Sequence, residues 1–228
     1  MIGQYPYQTQ ELLGKSELVI ITERVDDVVL LIGLMMKMGL QKVLDNHIPR
    51  HWKQRELSWG WTTVIWLAYI NRYGDHRKVS VRAYIEGMQN TLSQVTGQKV
   101  APLDFTDDSD GCLLKYLSKS KYWHKIESDL NKKTIKIYRL PIDTVRCDAT
   151  TVSGNHDMTE SGLIQFGYNK DSSNLPQFKV MVGALDPLGM PLATEIVSFD
   201  KADDGLYRTK IKRIDDSLKR SGLLYEGD

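Results

Sequence analysis

Cysteine is scarce: Cys112 and Cys147 are the two in a chain of 228 residues. That is too few for the disulfide framework of small secreted domains. No basic, apolar, small-residue leader pattern opens the chain, so a reducing, cytoplasmic setting is expected. Long apolar runs are also missing. The longest, Val28 to Met36 and Val64 to Ile70, fall well short of the roughly 20 residues a membrane span needs, and no transmembrane segment is expected. Neither a glycine-rich phosphate loop nor a nucleophile elbow occurs, which removes the sequence basis for P-loop and serine-hydrolase chemistry. Charge of one sign is lacking too. Thirty Lys plus Arg face 29 Asp plus Glu, so net charge by itself indicates no partner.

What is present describes an ordinary globular protein, 41% hydrophobic and 26% charged, long enough for one good core or two modest ones. Two units are expected. The first twenty residues show no defensible amphipathic period. From Asp26 onward Val28, Leu31, Ile32, Met35 and Met38 recur at helical spacing, with Asp26 or Asp27 placed to cap the first turn and Gly39 to stop the last. Trp59 to Tyr73, ending at Gly74, predicts an aromatic-rich helix packed on the first, and a helix over Val79 to Met88 follows a basic turn. Asp107, Asp108 and Asp110 supply carboxylates to another helix start, whose apolar side is Leu113, Leu114 and Leu117. Lys119 to Arg139 carries seven Lys or Arg against Glu127 and Asp129. This is a local basic surface that suits a phosphate backbone or a solvated helix face. Tyr122 to Asn131 within it reads as helix. At Ile135 the period turns extended, and Leu140-Pro141 marks the border, giving a helical N-terminal unit at 1–138 and a β-rich unit at 139–228.

The second unit opens with the β-prone run Thr144 to Asp148. After a long loop, Phe178, Val180, Val182 and Ala184 alternate as on a strand. Asp186-Pro187-Leu188-Gly189 is a β-turn, and Pro191 to Ser198 is the return strand. Tyr207, Ile211, Ile214 and Leu218 draw one apolar stripe on a helix whose other face holds Arg208, Lys210, Lys212, Arg213 and Lys219. The basic face reads as solvated surface more readily than as a DNA groove. Leu223 to Tyr225 resumes an extended run that leads to Asp228. Three antiparallel strands, a crossover helix and a fourth strand parallel to the first are the opening of a ribonuclease-H-like fold. The fold class expected is therefore α+β, a helical domain followed by an incomplete ribonuclease-H-like α/β domain. Asp148 and Asp228, 80 residues apart (228 minus 148), would then sit near the ends of adjacent strands. Converging carboxylates are the oxygen ligands that paired Mg²⁺ or Mn²⁺ ions require.

The residues around these acids carry a family resemblance. Cys147-Asp148-Ala149-Thr150-Thr151-Val152-Ser153-Gly154 and Gly162 to Asp171 resemble the first-aspartate region of a subgroup of DDE-type insertion-sequence transposases. The likeness continues through Leu175 to Val180, Leu185 to Thr194 and Lys201 to Asp204. It ends at Gly222-Leu223-Leu224-Tyr225-Glu226-Gly227-Asp228, which is similar to the second-aspartate strand. Gly39 to Asp45 and Asn46-His47-Ile48-Pro49 resemble that subgroup's uncharacterised N-terminal domain. The resemblance implies a bacterial mobile-element enzyme that joins DNA ends by two-metal phosphoryl transfer. Asp148 would bridge two Mg²⁺ or Mn²⁺ ions and Asp228 would hold one of them. The partners implied are the element's terminal repeats and target DNA, with a homodimer in the complete enzyme. Family members run on to a glutamate that completes the ligand set, so the chain is expected to be a truncated, inactive remnant. The rival expectations are a non-catalytic DNA-binding or dimerising regulator of intact transposase, and an inert fragment with open apolar faces.

Phe166, Tyr168, Lys170 and Lys179 interleave aromatic and basic residues after the first aspartate, where a DNA strand could stack and be held; a plain hairpin surface reads as well. His47 and His51 stand four apart without a cysteine pair to complete a zinc pattern, and a surface or capping role is expected. Thr106 and Leu117 occupy positions where a calcium loop needs acids, so Asp108, Asp110 and Gly111 do not make one. His156 and Asp157 carry no assigned role.

Overall fold

A computed structural model describes residues 20–52, 54–155, 162–166, 175–199, 203–218 and 223–227. The chain divides into two compact units, 1–119 and 120–228. Among the described residues there are eight α-helices and a four-stranded mixed sheet. No described helix is long and apolar enough to cross a membrane.

The first unit is helical: α1 (Val28–Met38), α2 (Leu40–His47), α3 (Trp59–Tyr73), α4 (Lys78–Gly87), α5 (Gln89–Thr96) and α6 (Asp107–Leu117). The centre is α3, with Trp59, Val64, Ile65, Trp66, Ala68 and Tyr69 all buried. A helix apolar nearly all round must be enclosed by its neighbours, and α1 offers Val28 and Ile32 to that core while α2 offers Val43 and Leu44. Ser58 caps α3 by accepting from Trp61 N at 3.3 Å. Its own hydroxyl donates to Asp45 of α2, whose second oxygen accepts from Gly60 N at 2.7 Å. Gly60 has to be glycine, because a Cβ there would stand 2.3 Å from the carbonyl oxygen of Gln41.

One expectation for this unit needs correction, and two features go beyond the sequence. Asp27 occupies the cap position of α1 with helical backbone angles and accepts no capping bond, while Asp26 pairs with Arg72 and Arg24. Residues 89–96, a segment without an apolar helical stripe of its own, form α5, whose first amides at Asn90 and Thr91 are satisfied by the distant Glu23 carboxylate at 3.0 and 2.7 Å. Asp110 lies in the first turn of α6, as expected, but it is fully buried, with no hydrogen-bond partner on either oxygen among the described residues. Thr106 caps α6, accepting from Ser109 N.

The second unit opens with α7 (Ser120–Tyr138), followed by β1 (Thr144–Ser153), β2 (Gln177–Leu185), β3 (Met190–Ser198), α8 (Asp203–Leu218) and β4 (Leu224–Gly227). The strand order is β3-β2-β1-β4. Strands β1, β2 and β3 run antiparallel, while β4 runs parallel to β1, with Thr144 beside Leu224 and Cys147 beside Gly227. This is the order and pairing expected from the sequence. Val145, Cys147, Leu185, Leu192 and Ala193 of the sheet form the core with Ile214 of α8, flanked by Ile135, Tyr207 and Leu218. The helices take one face of the sheet. Gly183 lets α8 settle there, since a Cβ would lie 2.7 Å from Ile214 Cδ1.

The helical period of α7 runs through Ile135 to Tyr138, and the compact units divide before α7 instead of after it. The physical reason is packing. Asn131 Nδ2 donates to Leu192 O at 2.5 Å, Glu127 accepts from Thr194 N at 2.8 Å, and Arg213 of α8 bridges Glu127 and Glu195. The basic face of α8 is correspondingly split. Arg208 and Lys212 are exposed, Arg213 turns into this ion network, and Lys210 is 2% exposed. Lys219 lies outside the described residues.

Candidate active site

Strand β1 alternates strictly at its start: Val145 and Cys147 are buried toward the helices, while Arg146 and Asp148 point to the opposite, exposed face. Asp148 Oδ1 accepts from Ala149 N at 2.7 Å, and Oδ2 has no hydrogen bond among the described residues. Val182 of β2 lies across from Asp148, and Thr194 of β3 lies across from Val182. The carboxylate therefore stands on an open strand surface with an oxygen available to a ligand, a donor set suited to hard divalent cations.

Two residues earlier on the same face, Arg146 Nε lies 2.6 Å from Asp186 Oδ2 and 3.5 Å from Glu226 Oε2. Asp186 begins the β2–β3 turn and Glu226 sits on β4, so one guanidinium ties the hairpin end to the last strand. Tyr225, on the other face of β4, gives its hydroxyl to Asp215 of α8 at 2.6 Å. These contacts hold β4 from both sides, and burial together with that carboxylate pushes the Tyr225 hydroxyl upward from its ordinary range. The last described pair of the β1–β4 ladder is Cys147 with Gly227, the residues immediately before Asp148 and Asp228 in sequence. Asp228 itself lies outside the described residues. No group of three or more His, Cys, Asp or Glu poised for a metal occurs among the described residues.

The other sequence candidates fall differently. Phe166 is 55% exposed, beside the isolated bridge between Gln165 and Gln177. Lys179 pairs with Thr151 and Val197, which puts it on the face opposite Asp148, and its Nζ lies 5.2 Å from the Phe199 ring centroid. Lys179 and Asp148 are thus not brought together. Tyr168, Lys170, His156 and Asp157 lie outside the described residues. Arg146 was missed from the sequence; the signal available was a basic residue two positions before an acid on one strand, which is too common to single out.

No family model, curated protein or solved structure matches the chain.

Proposed function

We propose that the chain carries the first two acidic ligands of a DDE-type insertion-sequence transposase, with its second unit the opening part of a ribonuclease-H-like domain. The observation that carries this reading is the parallel β1–β4 ladder, whose last described pair, Cys147 with Gly227, immediately precedes Asp148 and Asp228 in sequence. Such strands, separated by a long connection and joined side by side, bring distant acids to one sheet end. Asp148 and Asp228 would hold the Mg²⁺ or Mn²⁺ ions. When bound, such ions activate a water or 3′-hydroxyl and stabilise the leaving oxygen of a phosphodiester. The chain's own contribution is placement. Arg146 fixes β4 against the hairpin end, and Asp148 keeps an oxygen turned to the exposed face. The partner is DNA, terminal repeats and target.

Manganese binding tests this directly. Electron paramagnetic resonance of free Mn²⁺, titrated with the 228-residue chain, is expected to show uptake that Asp148→Asn and Asp228→Asn each reduce about tenfold or more, with circular dichroism unchanged. Uptake identical in all three proteins would sink the assignment.

A further inference from the structure

Between α2 and α3 the chain reads Ile48-Pro49-Arg50-His51-Trp52-Lys53-Gln54-Arg55-Glu56-Leu57, basic and aromatic together. The segment is firmly tied. Ile48 and Leu57 are each 3% exposed and anchor its ends, and Trp59 Nε1 donates to Pro49 O at 3.2 Å. Gln54 N donates to His51 O and Gln54 Nε2 to Leu57 O, while Arg50 Nη2 donates to Arg55 O at 3.1 Å. On this frame Trp52 stands 82% exposed, its ring 5.9 Å from that of His51. A large apolar side chain held in water on a tied loop marks a contact surface, and an indole presents a flat face at little cost in side-chain freedom.

The same segment borders a hollow of about 410 Å³ lined by Arg50, Gln54, Arg55, Glu56, Lys99, Ala101 and Asp104. Three cations face two acids there, and one of the acids is weakened: burial raises the Asp104 carboxyl, with Arg55 Nε 3.5 Å away. Arg50 spends one donor on the loop and keeps others for a ligand. Exposed Lys99, just past the end of α5, adds a further cation to the lining. The chemistry is that of a phosphate seat and a stacking platform carried by one segment.

We propose that this segment binds a nucleic-acid strand, its phosphates against Arg50 and Lys99 and a base stacked on Trp52. The inference rests on the DNA-directed reading above and gives the first unit its contact surface. It is tested with the full chain by fluorescence anisotropy of short fluorescein-labelled DNA, single-stranded and duplex, across a potassium chloride series. Trp52→Ala is expected to weaken single-strand binding on the order of ten- to a hundredfold, with Trp52→Phe restoring most of it. Arg50→Gln and Lys99→Gln should each lower the slope of log affinity against log salt by about one. Inorganic polyphosphate serves as the bare-phosphate probe, and its binding should not respond to Trp52→Ala. No DNA binding at low salt overturns the proposal. So does binding indifferent to all these positions, or equal loss of DNA and polyphosphate on replacing Trp52. None of these results touches the metal-site reading, which manganese uptake decides independently.

Discussion

Lys210 is held at 2% exposure with no hydrogen-bond partner for Nζ among the described residues, and burial lowers its ammonium from 10.5 to about 8. Its Cδ lies 3.5 Å from where a Gly183 Cβ would stand, so the stem packs on the sheet. A base with a lowered folded value binds fewer protons folded than unfolded between those two values, and stability should rise with pH from about 8 to 10.5. Lys210→Met keeps the stem and removes the charge. It is expected to stabilise the second unit at neutral pH by up to about 3 kcal/mol, read as a higher thermal midpoint, with the alkaline rise abolished. An unchanged midpoint would mean that the ammonium reaches water. Asp110 has the opposite sign. Burial raises its carboxyl from 3.8 to about 7, so the folded state holds a proton that the unfolded chain has lost, and stability falls as pH climbs through that interval. Asp110→Asn should flatten this decline, showing a higher urea midpoint than the native chain at pH 8 and little difference near pH 3.5; parallel curves would contradict it. Helical periodicity cannot announce either residue, since α8 already has an apolar stripe and α6 an acidic first turn that reads as dipole complement.

At the level of elements, long periodic segments were legible. α3 ends at Gly74 and α1 at Gly39, both in left-handed conformation as their positions at helix ends require. The β2–β3 hairpin turns at Asp186 to Gly189, where Gly189 has φ 64°. The misses share a cause: satisfaction from far away. α5 has a polar sequence, and the bond that closes its N-terminus comes from Glu23, so local pattern gives no sign of it. α7 continues past Ile135 because its partner is a sheet that the local sequence does not display. The α8 interface makes the sharpest demand on packing. Gly183→Ala would set a methyl 2.7 Å from Ile214 Cδ1, and Ile214, 1% exposed, would have to shift within the core. A loss of about 1–3 kcal/mol is expected. Ile214→Val, which removes that methyl, should recover part of it in a double-mutant cycle; strict additivity would place the clash elsewhere.

For the molecule as a whole, the α+β division was legible from the switch of hydrophobic period, and strand order followed from the hairpin and crossover pattern. The border between units was not, because α7 is as helical as its predecessors and only its contacts assign it to the sheet. Of the candidate site, Asp148 could be located from its strand, whereas the Arg146 clasp depends on residues 40 and 80 positions away, Asp186 and Glu226 (186 minus 146; 226 minus 146). That same separation governs the order in which the unit assembles. The β1–β2–β3 meander closes comparatively short connections, but β4 must wait for α8 and then find Thr144 to Cys147 across the whole intervening chain. With only four residues, Leu224 to Gly227, it is the late arrival in folding and the early departure in local opening. Native-state hydrogen exchange should show the β4 amides opening at lower free energy than those of Met181 to Leu185, and equal protection would deny it. A strand recruited last makes the clasp of Arg146 on Glu226 a checkpoint: it exists only in chains that have finished folding.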